Sequence, residues 1–386
     1  MSPSANPIPE TTSPSDPPSR IPWGRIALWF AATRLAIWSI AGLSLRFVPH
    51  GRFWGGDPRG PLDWLMHWDA QWFLTVANTG YEYDPTRMSN VNFLPMYPLF
   101  IRAVRFVFRD IDLSAYIASH LCCLVAAGLL WRLARDVTGR NRTADYSVLF
   151  FLLGPVAVFF ASIYSEATFM VFALATFLAM RRHWWFVAGL CGAGAALSRS
   201  VGLFLVVPLA IEYVLANRDL KTWRSVRTWV GFACCGLPAA GTAAYFAYLG
   251  WKFGDWHAYF ISQQHGGHFA AAPWKAFSQG SFTNLLTFYK WWFALAMFAG
   301  IGLTIATALL RLPWSHVGFS VVLCGLYISI ESLEGIPRFF SIVVPFYLVM
   351  GLVATRRPVL GKTLLVFSTL LLALSVTLFT NGYWFT

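Results

Sequence analysis

The heptapeptide His67-Trp68-Asp69-Ala70-Gln71-Trp72-Phe73 sets one carboxylate among aromatic side chains. Rings exclude water, and a partly desolvated carboxylate is a better proton acceptor, which suits Asp69 to general-base work. An interfacial loop acid bonded to backbone amides would look the same. Tyr164-Ser165-Glu166 puts a second carboxylate just ahead of an apolar block. Glu166 could hydrogen-bond a sugar, or Ser165 could cap a helix with acid in its first turn. Ser198-Arg199-Ser200 and Ile336-Pro337-Arg338 each set one arginine at the edge of an apolar block. The planar guanidinium fork matches a pair of phosphate oxygens, and a charge beside hydrocarbon is costly unless it has a use. The alternatives are snorkelling to head groups for Arg199 and an ion pair with Glu334 for Arg338.

A further group comprises Asp255, in Phe253-Gly254-Asp255, with His257, Gln263, Gln264, His265 and His268. His265 and His268 have the spacing of a metal pair. Two glycines separate them and no third ligand is fixed by spacing, so loop histidines are the plainer reading. The six cysteines, at 122, 123, 191, 234, 235 and 324, all lie in apolar blocks without CxxC spacing. They read as small buried hydrophobes. Arg34 falls inside the first apolar block, toward its inner half.

The elements that must position these groups are membrane helices. Hydrophobic residues make up 57% of the 386 and charged residues 12%. A soluble domain carries about twice that charge. Apolar blocks about 20 residues long match a hydrocarbon layer of ~30 Å. Eleven spans are expected, at 25–47, 114–134, 145–163, 167–180, 184–197, 201–215, 228–249, 289–310, 314–330, 339–354 and 362–380. Residues 93–108 are also apolar but contain Pro95, Pro98, Arg102 and Arg105. They are expected as a helix lying in the interface. Tyr289, Trp291 and Trp292 read as an aromatic belt.

The net charge of +12 is not a nucleic-acid signature, because the basic residues cluster in short loops between spans. Arg132, Arg135, Arg140, Arg142, Arg181, Arg182, Arg218, Lys221, Arg224 and Arg227 mark those loops as cytoplasmic. Most acids fall on the other side, with the large loops 48–113 and 250–290. Residues 1–22, rich in Ser and Pro, are expected to be a disordered cytoplasmic tail. Residues 23–386 are expected to form one transmembrane domain. The short tail and the lack of retention signals point to a bacterial plasma membrane, with the acidic face extracytoplasmic.

Taken in order, these pieces resemble the PIG-V-like mannosyltransferases, a branch of the multi-spanning GT-C glycosyltransferases. The matching stretches are His67-Trp68-Asp69, Gly80-Tyr81 and Phe93-Leu94-Pro95-Met96-Tyr97-Pro98-Leu99. Pro155 with Phe159-Phe160-Ala161-Ser162 and Tyr164-Ser165-Glu166 follows, then Leu197-Ser198-Arg199-Ser200 with Gly202. Phe253-Gly254-Asp255 with Gln264, Ile336-Pro337-Arg338 with Pro345, and Asn381-Gly382-Tyr383-Trp384 complete the series. The resemblance runs from about residue 23 to the C-terminus. It departs at His67, where arginine is usual, at Phe73, where tyrosine is common, and at His265, where tryptophan is usual.

The resemblance implies an all-α GT-C-type bundle. It also implies an enzyme that moves a sugar, typically mannose, from a polyprenyl-phosphate donor to a hydroxyl acceptor with inversion, on the extracytoplasmic face. Asp69 becomes the base, and Arg199 and Arg338 hold the donor phosphate. His67, Gln71, Tyr97, Tyr164, Glu166, Asp255 and Gln264 position substrate. No cofactor is implied and a divalent metal is left open. The acceptor, whether lipid, glycan or protein, is not named by sequence. A transporter for a lipid-linked sugar would instead place charges at the bilayer midplane. A catalytically inactive GT-C-like assembly subunit is a third reading, opened by the departure at His67.

Overall fold

The structure is a computed structural model that describes residues 20–51, 54–266, 288–329 and 335–383, with backbone alone at 288–291. Residues 1–19 of the expected tail, and His268, Glu331, Glu334 and Trp384, lie outside the described residues, as do the side chains of Tyr289 and Trp291. All regular structure among the described residues is helical.

In chain order the helices are α1 (Trp23–Phe47), α2 (Asp69–Asn78), α3 (Met96–Phe108), α4 (Ile111–Thr138), α5 (Asn141–Leu152) and α6 (Glu166–Arg181). Then come α7 (Trp185–Ala196), α8 (Val206–Ala216), α9 (Val226–Cys234), α10 (Leu237–Phe253) and α11 (Ala258–His265). The last are α12 (Phe288–Leu309), α13 (Trp314–Ile328), α14 (Ile336–Phe340), α15 (Val344–Arg356) and α16 (Pro358–Thr380).

Among the described residues, four helices are long and apolar enough to cross a membrane: α1, α4, the 292–309 part of α12, and α16. The chain is an integral membrane protein. On α1, Ile26, Thr33, Ile37, Ala41 and Ser44 form the buried stripe, while Leu28, Leu35 and Leu43 are exposed. Exposed leucines cost nothing against lipid tails, so both faces of such a helix are satisfied.

Several expected single spans are broken, each at a residue that interrupts the backbone ladder. The block 145–163 ends as a helix at Leu152. Gly154-Pro155 follows, then a 3-10 turn at Ala157–Phe160. The block 228–249 is α9 and α10, bent by 56° across Cys235 and Gly236, with Pro238 at the restart. The block 201–215 begins as a 3-10 turn over Ser200–Leu205. The block 339–354 is two helices, α14 and α15, with Pro345 at the start of the second. Proline lacks the N–H that would continue the ladder. At 12 residues, α7 rises only about 18 Å, short of the hydrocarbon thickness.

The long α4 starts and stops on local signals. The Asp110 carboxylate accepts from Leu113 N at 2.8 Å, and Gly139 closes the helix in the left-handed region at φ 71°. Close packing in the bundle rests on small residues. A Cβ on Gly351 of α15 would stand 2.3 Å from Ser147 Oγ and 2.6 Å from Thr143 O of α5. Beside that contact, Thr143 Oγ1 donates to Thr355 Oγ1 at 3.0 Å. Small-residue contacts of this kind replace the hydrophobic effect between helices in lipid.

The bundle has two chemically different ends. One gathers basic side chains. Arg132 pairs with Asp136 at 2.9 Å, Arg181 donates to Asp136 O at 3.0 Å, and Arg25 pairs with Asp145 at 2.5 Å. Helix α6 runs from that end, at Arg181, to the other, at Glu166.

Candidate functional site

Asp69 is the first residue of α2, where the exposed N–H groups of a helix start favour a carboxylate. Trp68 before it stands at φ 49°, in the left-handed region that a bulky residue rarely adopts. Such strain persists only where surrounding structure holds it, and it gathers at functional sites. The neighbouring Tyr164 hydroxyl donates to His67 O at 3.0 Å, and the Trp68 ring packs edge-on against Phe379 at 4.8 Å.

Arg338 belongs to the single-turn α14. Gly335, at φ 85°, precedes that helix, and Pro337 sits in its first turn. The arginine bridges two carboxylates. Nη1 donates to Asp69 Oδ2 at 2.7 Å, and Nε donates to Glu166 Oε1. Its guanidinium lies over the rings of Tyr164, at 4.5 Å, and Phe159, at 5.0 Å. Burial opposes its charge, but Glu166 and Asp69 outweigh that and hold the group protonated more firmly than an ordinary arginine.

Arg199 reaches the same carboxylate, Nη1 to Glu166 Oε1 at 2.6 Å. It sits at the corner after α7, where the following 3-10 turn folds back onto the helix. Gly202 permits that approach, because a Cβ there would stand 2.4 Å from the Ala195 and Ala196 backbone. Glu166 is fully buried, and its second oxygen has no hydrogen-bond partner. The expected cap is absent: Ser165 makes no side-chain capping bond, and Glu166 serves the two arginines instead.

Asp69, Glu166, Arg199 and Arg338 thus form one network from four segments. Asp69 is 29% exposed and each arginine 15%, so the network opens to the outside on the Asp69 side. Two guanidinium groups beside two carboxylates can hold an anion on one side and accept a proton on the other.

Tyr97 is fully buried, its hydroxyl donates to Ala115 O at 2.9 Å, and it shares a 2.8 Å bond with Ser119 Oγ. Its hydroxyl is spent inside the bundle, and the residue anchors α3 to α4. Next to it, Met96 N donates to Leu197 O at 3.0 Å, which ties the proline-rich segment to the Arg199 corner. The Tyr164 ring packs under Arg338. His67 lies just before Asp69 with a buried Nε2 that has no hydrogen-bond partner. Burial holds its pKa below the ordinary histidine value. Gln71 is exposed one turn into α2.

Asp255 stands on a separate clamp. It accepts from the Tyr83 hydroxyl at 2.7 Å and from His257 N at 2.8 Å. These bonds hold its carboxyl below the usual range, and the tyrosine is pushed up to about 12 by burial and by the same bond. Gln264 is exposed on α11. His265 Nε2 lies 3.0 Å from Pro85 O, so this second segment is fastened to the first large loop. Arg34 has no role in the sequence-based expectation. It is buried, stacked 5.1 Å over Phe30, and none of its guanidinium nitrogens has a hydrogen-bond partner. An arginine inside an apolar block is the signal that marks it.

An apolar groove of about 340 Å³ lies between α2, α3 and α10, lined by Val76, Tyr81, Leu99, Arg102, Leu197 and Tyr245. Arg102 caps the α2 C-terminus by donating to Ala77 O at 2.8 Å and Val76 O at 3.1 Å. On the other side of Asp69, the ends of α1 and α16 are stitched together. Gly51 N donates to Asn381 O at 2.7 Å, Asn381 Nδ2 to Ser44 Oγ at 3.0 Å, and the Tyr383 hydroxyl to Pro49 O at 2.9 Å.

Residues 59–215 match the family model described as mannosyltransferase (PIG-V). That segment contains Asp69, Glu166 and Arg199, and Arg338 lies beyond it. GPI alpha-1,6-mannosyltransferase 2 of Cricetulus griseus is 35% identical over 162 residues, which is 38% of this chain and 31% of that protein. GPI mannosyltransferase 2 of Drosophila pseudoobscura pseudoobscura is 30% identical over 203 residues, 45% of this chain and 43% of that protein. The matches span about a third to two fifths of these relatives' lengths. Among solved structures, ArnT from Cupriavidus metallidurans in the apo state superposes over 93% of this chain and 76% of its own, with a TM-score of 0.50 and 14% identity. That likeness concerns the fold alone, an all-helical membrane bundle.

Proposed function

We propose that this chain, whose 59–215 segment is that of the PIG-V mannosyltransferases, is an integral membrane glycosyltransferase. It moves mannose from a polyprenyl phosphate to an acceptor hydroxyl on the extracytoplasmic face, with inversion. The observation that carries this reading is Arg338 bridging Asp69 and Glu166, with Arg199 on the same Glu166 oxygen.

The donor phosphate takes the open side of Arg338 and Arg199. Bringing an anion to Arg338 loosens its bond to Asp69 and frees that carboxylate for the acceptor. Asp69 removes the hydroxyl proton as the oxygen attacks the anomeric carbon. The bond from that carbon to the phosphate oxygen breaks, and the electron pair leaves with the polyprenyl phosphate. Two fixed cations meet the charge that develops there, usually the largest catalytic term. Glu166 spans both arginines and keeps their spacing. The groove beside Leu197 is apolar enough to take the first isoprene units.

In this reading residues 23–386 form one domain of eleven crossings. The short apolar helices complete the crossings that the long ones begin, and the tail and the arginine-rich end are cytoplasmic. The test is transfer from radiolabelled polyprenyl-phosphate mannose by purified protein in detergent. Asp69→Asn is expected to lose about 10²–10⁴-fold in kcat, the usual worth of a positioned base. Unchanged turnover in that variant sinks the assignment. Absence of transfer from any polyprenyl-phosphate sugar moves the reading to a lipid-linked sugar transporter or an inactive subunit.

A further inference from the structure

The segment that joins α8 to α10 lies at the basic end of the bundle, where Trp185 of α7, close behind Arg181 and Arg182, packs 4.7 Å from Tyr213. Residues 218–227 carry Arg218, Lys221, Arg224 and Arg227 against a single acid, Asp219. All four cations are exposed. Among the described residues none of them forms an ion pair with a carboxylate. Asp219 is occupied with the turn itself, where its Oδ1 accepts from Lys221 N at 2.9 Å.

A solvated basic loop would have no fixed shape, but this one is built. Trp223 Nε1 donates to Asn217 O and Trp229 Nε1 to Trp223 O, each at 2.8 Å. Thr228 Oγ1 donates to Thr222 O at 2.7 Å, and the Tyr213 hydroxyl donates to Thr228 O at 2.5 Å. Gly231 lets α9 approach Tyr213 closely, because a Cβ there would stand 2.5 Å from the tyrosine oxygen. Along α9, Val226, Trp229, Val230 and Ala233 are all exposed, at the i, i+3, i+4, i+7 spacing of one apolar helix face. Leu220 is exposed beside them. The 56° bend before α10 turns α9 out of line with that helix, so its apolar face can lie along a leaflet.

These two features together select a partner. Water solvates the cations and leaves the apolar face unsatisfied. A free anion meets the charges alone. A phospholipid of negative charge meets both, with phosphate oxygens for the guanidinium groups and acyl chain for the valines and the indole. We propose that residues 218–233 form a docking platform for anionic phospholipid headgroups, apart from the network around Glu166. Helix α9 is locked to α7, since a Cβ on Gly189 would stand 2.1 Å from Cys234 O. Lipid bound there holds the bent segment against the bundle and raises the melting temperature, as any ligand of the folded state does.

The full chain, purified in a neutral detergent, is titrated with phosphatidylglycerol or phosphatidylcholine. Bound lipid is counted by native mass spectrometry, with melting temperature read alongside. Wild type is expected to prefer phosphatidylglycerol and to melt higher with it. Lys221→Gln should weaken that uptake about fivefold, the worth of one cation at an anionic surface. Changing Arg218, Lys221, Arg224 and Arg227 together to Gln should erase the preference. High salt should erase it too, in the unaltered protein. Arg356→Gln with Arg357→Gln and Lys362→Gln removes exposed cations from the same end and should keep it. Val226→Ser with Val230→Ser should weaken lipid uptake although no charge changes. Equal uptake of both lipids by wild type overturns the proposal, as does equal loss in the Arg356, Arg357 and Lys362 variant, which would make the effect one of net charge. Displacement of the lipid by inorganic phosphate, beyond what chloride of equal ionic strength achieves, overturns it in favour of a soluble anion. No sugar or donor enters these measurements, so they stand apart from the transfer assay.

Discussion

Glu166 shows how much rests on a single side chain. Its one paired oxygen serves two arginines at full burial. Glu166→Gln leaves a buried guanidinium uncompensated, which costs on the order of 3 kcal/mol. A lower melting temperature in detergent, together with loss of transfer, is expected; a wild-type melting curve would show that the network does not hold the fold. His67 makes a pH-dependent contribution. It titrates near 6.5 in the unfolded chain and lower in the folded one, because burial disfavours its charge. Unfolding takes up a proton between those values. Stability present above pH 6.5 is therefore lost as pH falls toward the depressed value, and His67→Gln should flatten that part of a melting-temperature profile. Of the four network residues, each is legible alone, as a charge next to an apolar block. Their convergence is not, because Asp69 and Arg338 are 269 residues apart and nothing local encodes the pairing. The surroundings of Tyr97 are illegible for a related reason: a tyrosine in a proline-rich segment has the same sequence signature whether its hydroxyl meets substrate or a helix carbonyl.

At the scale of elements, the apolar blocks locate most helices to within a few residues, because block length answers to membrane thickness. Breaks are less legible. Hydropathy runs on through Gly154-Pro155 and Gly236, although the backbone ladder stops there. Those breaks are what deliver chemistry: the 3-10 turn after Pro155 leads to Tyr164 and Glu166, and the turn over 200–205 sets Arg199. Close helix packing gives a test away from the site. A Cβ on Gly351 falls inside contact distance of Ser147 and the Thr143 carbonyl, so α5 and α15 must separate. Gly351→Ala is expected to lower stability by about 1–3 kcal/mol. Thermal melting measures this, and KM for either substrate should stay where it was.

At the scale of the whole molecule, the proposed orientation sets the two ends of the bundle in opposite compartments. Single cysteines at the exposed positions Asp57 and Arg182, in a background without the six native ones, should label with an impermeant reagent from opposite sides of sealed vesicles. Labelling of both from one side would break the orientation. The stitching of α1 to α16 has a consequence in time. During synthesis Asp69 is made early, and its counter-ion Arg338 comes 269 residues later. The Asn381 bonds that close the loop 48–68 against the last helix come later still. Glu166 and Arg199 can neutralise one another on a half-made chain, but Asp69 has no partner until α14 is inserted. Transfer activity should accordingly switch on abruptly at the end of membrane insertion, not grow with each helix added.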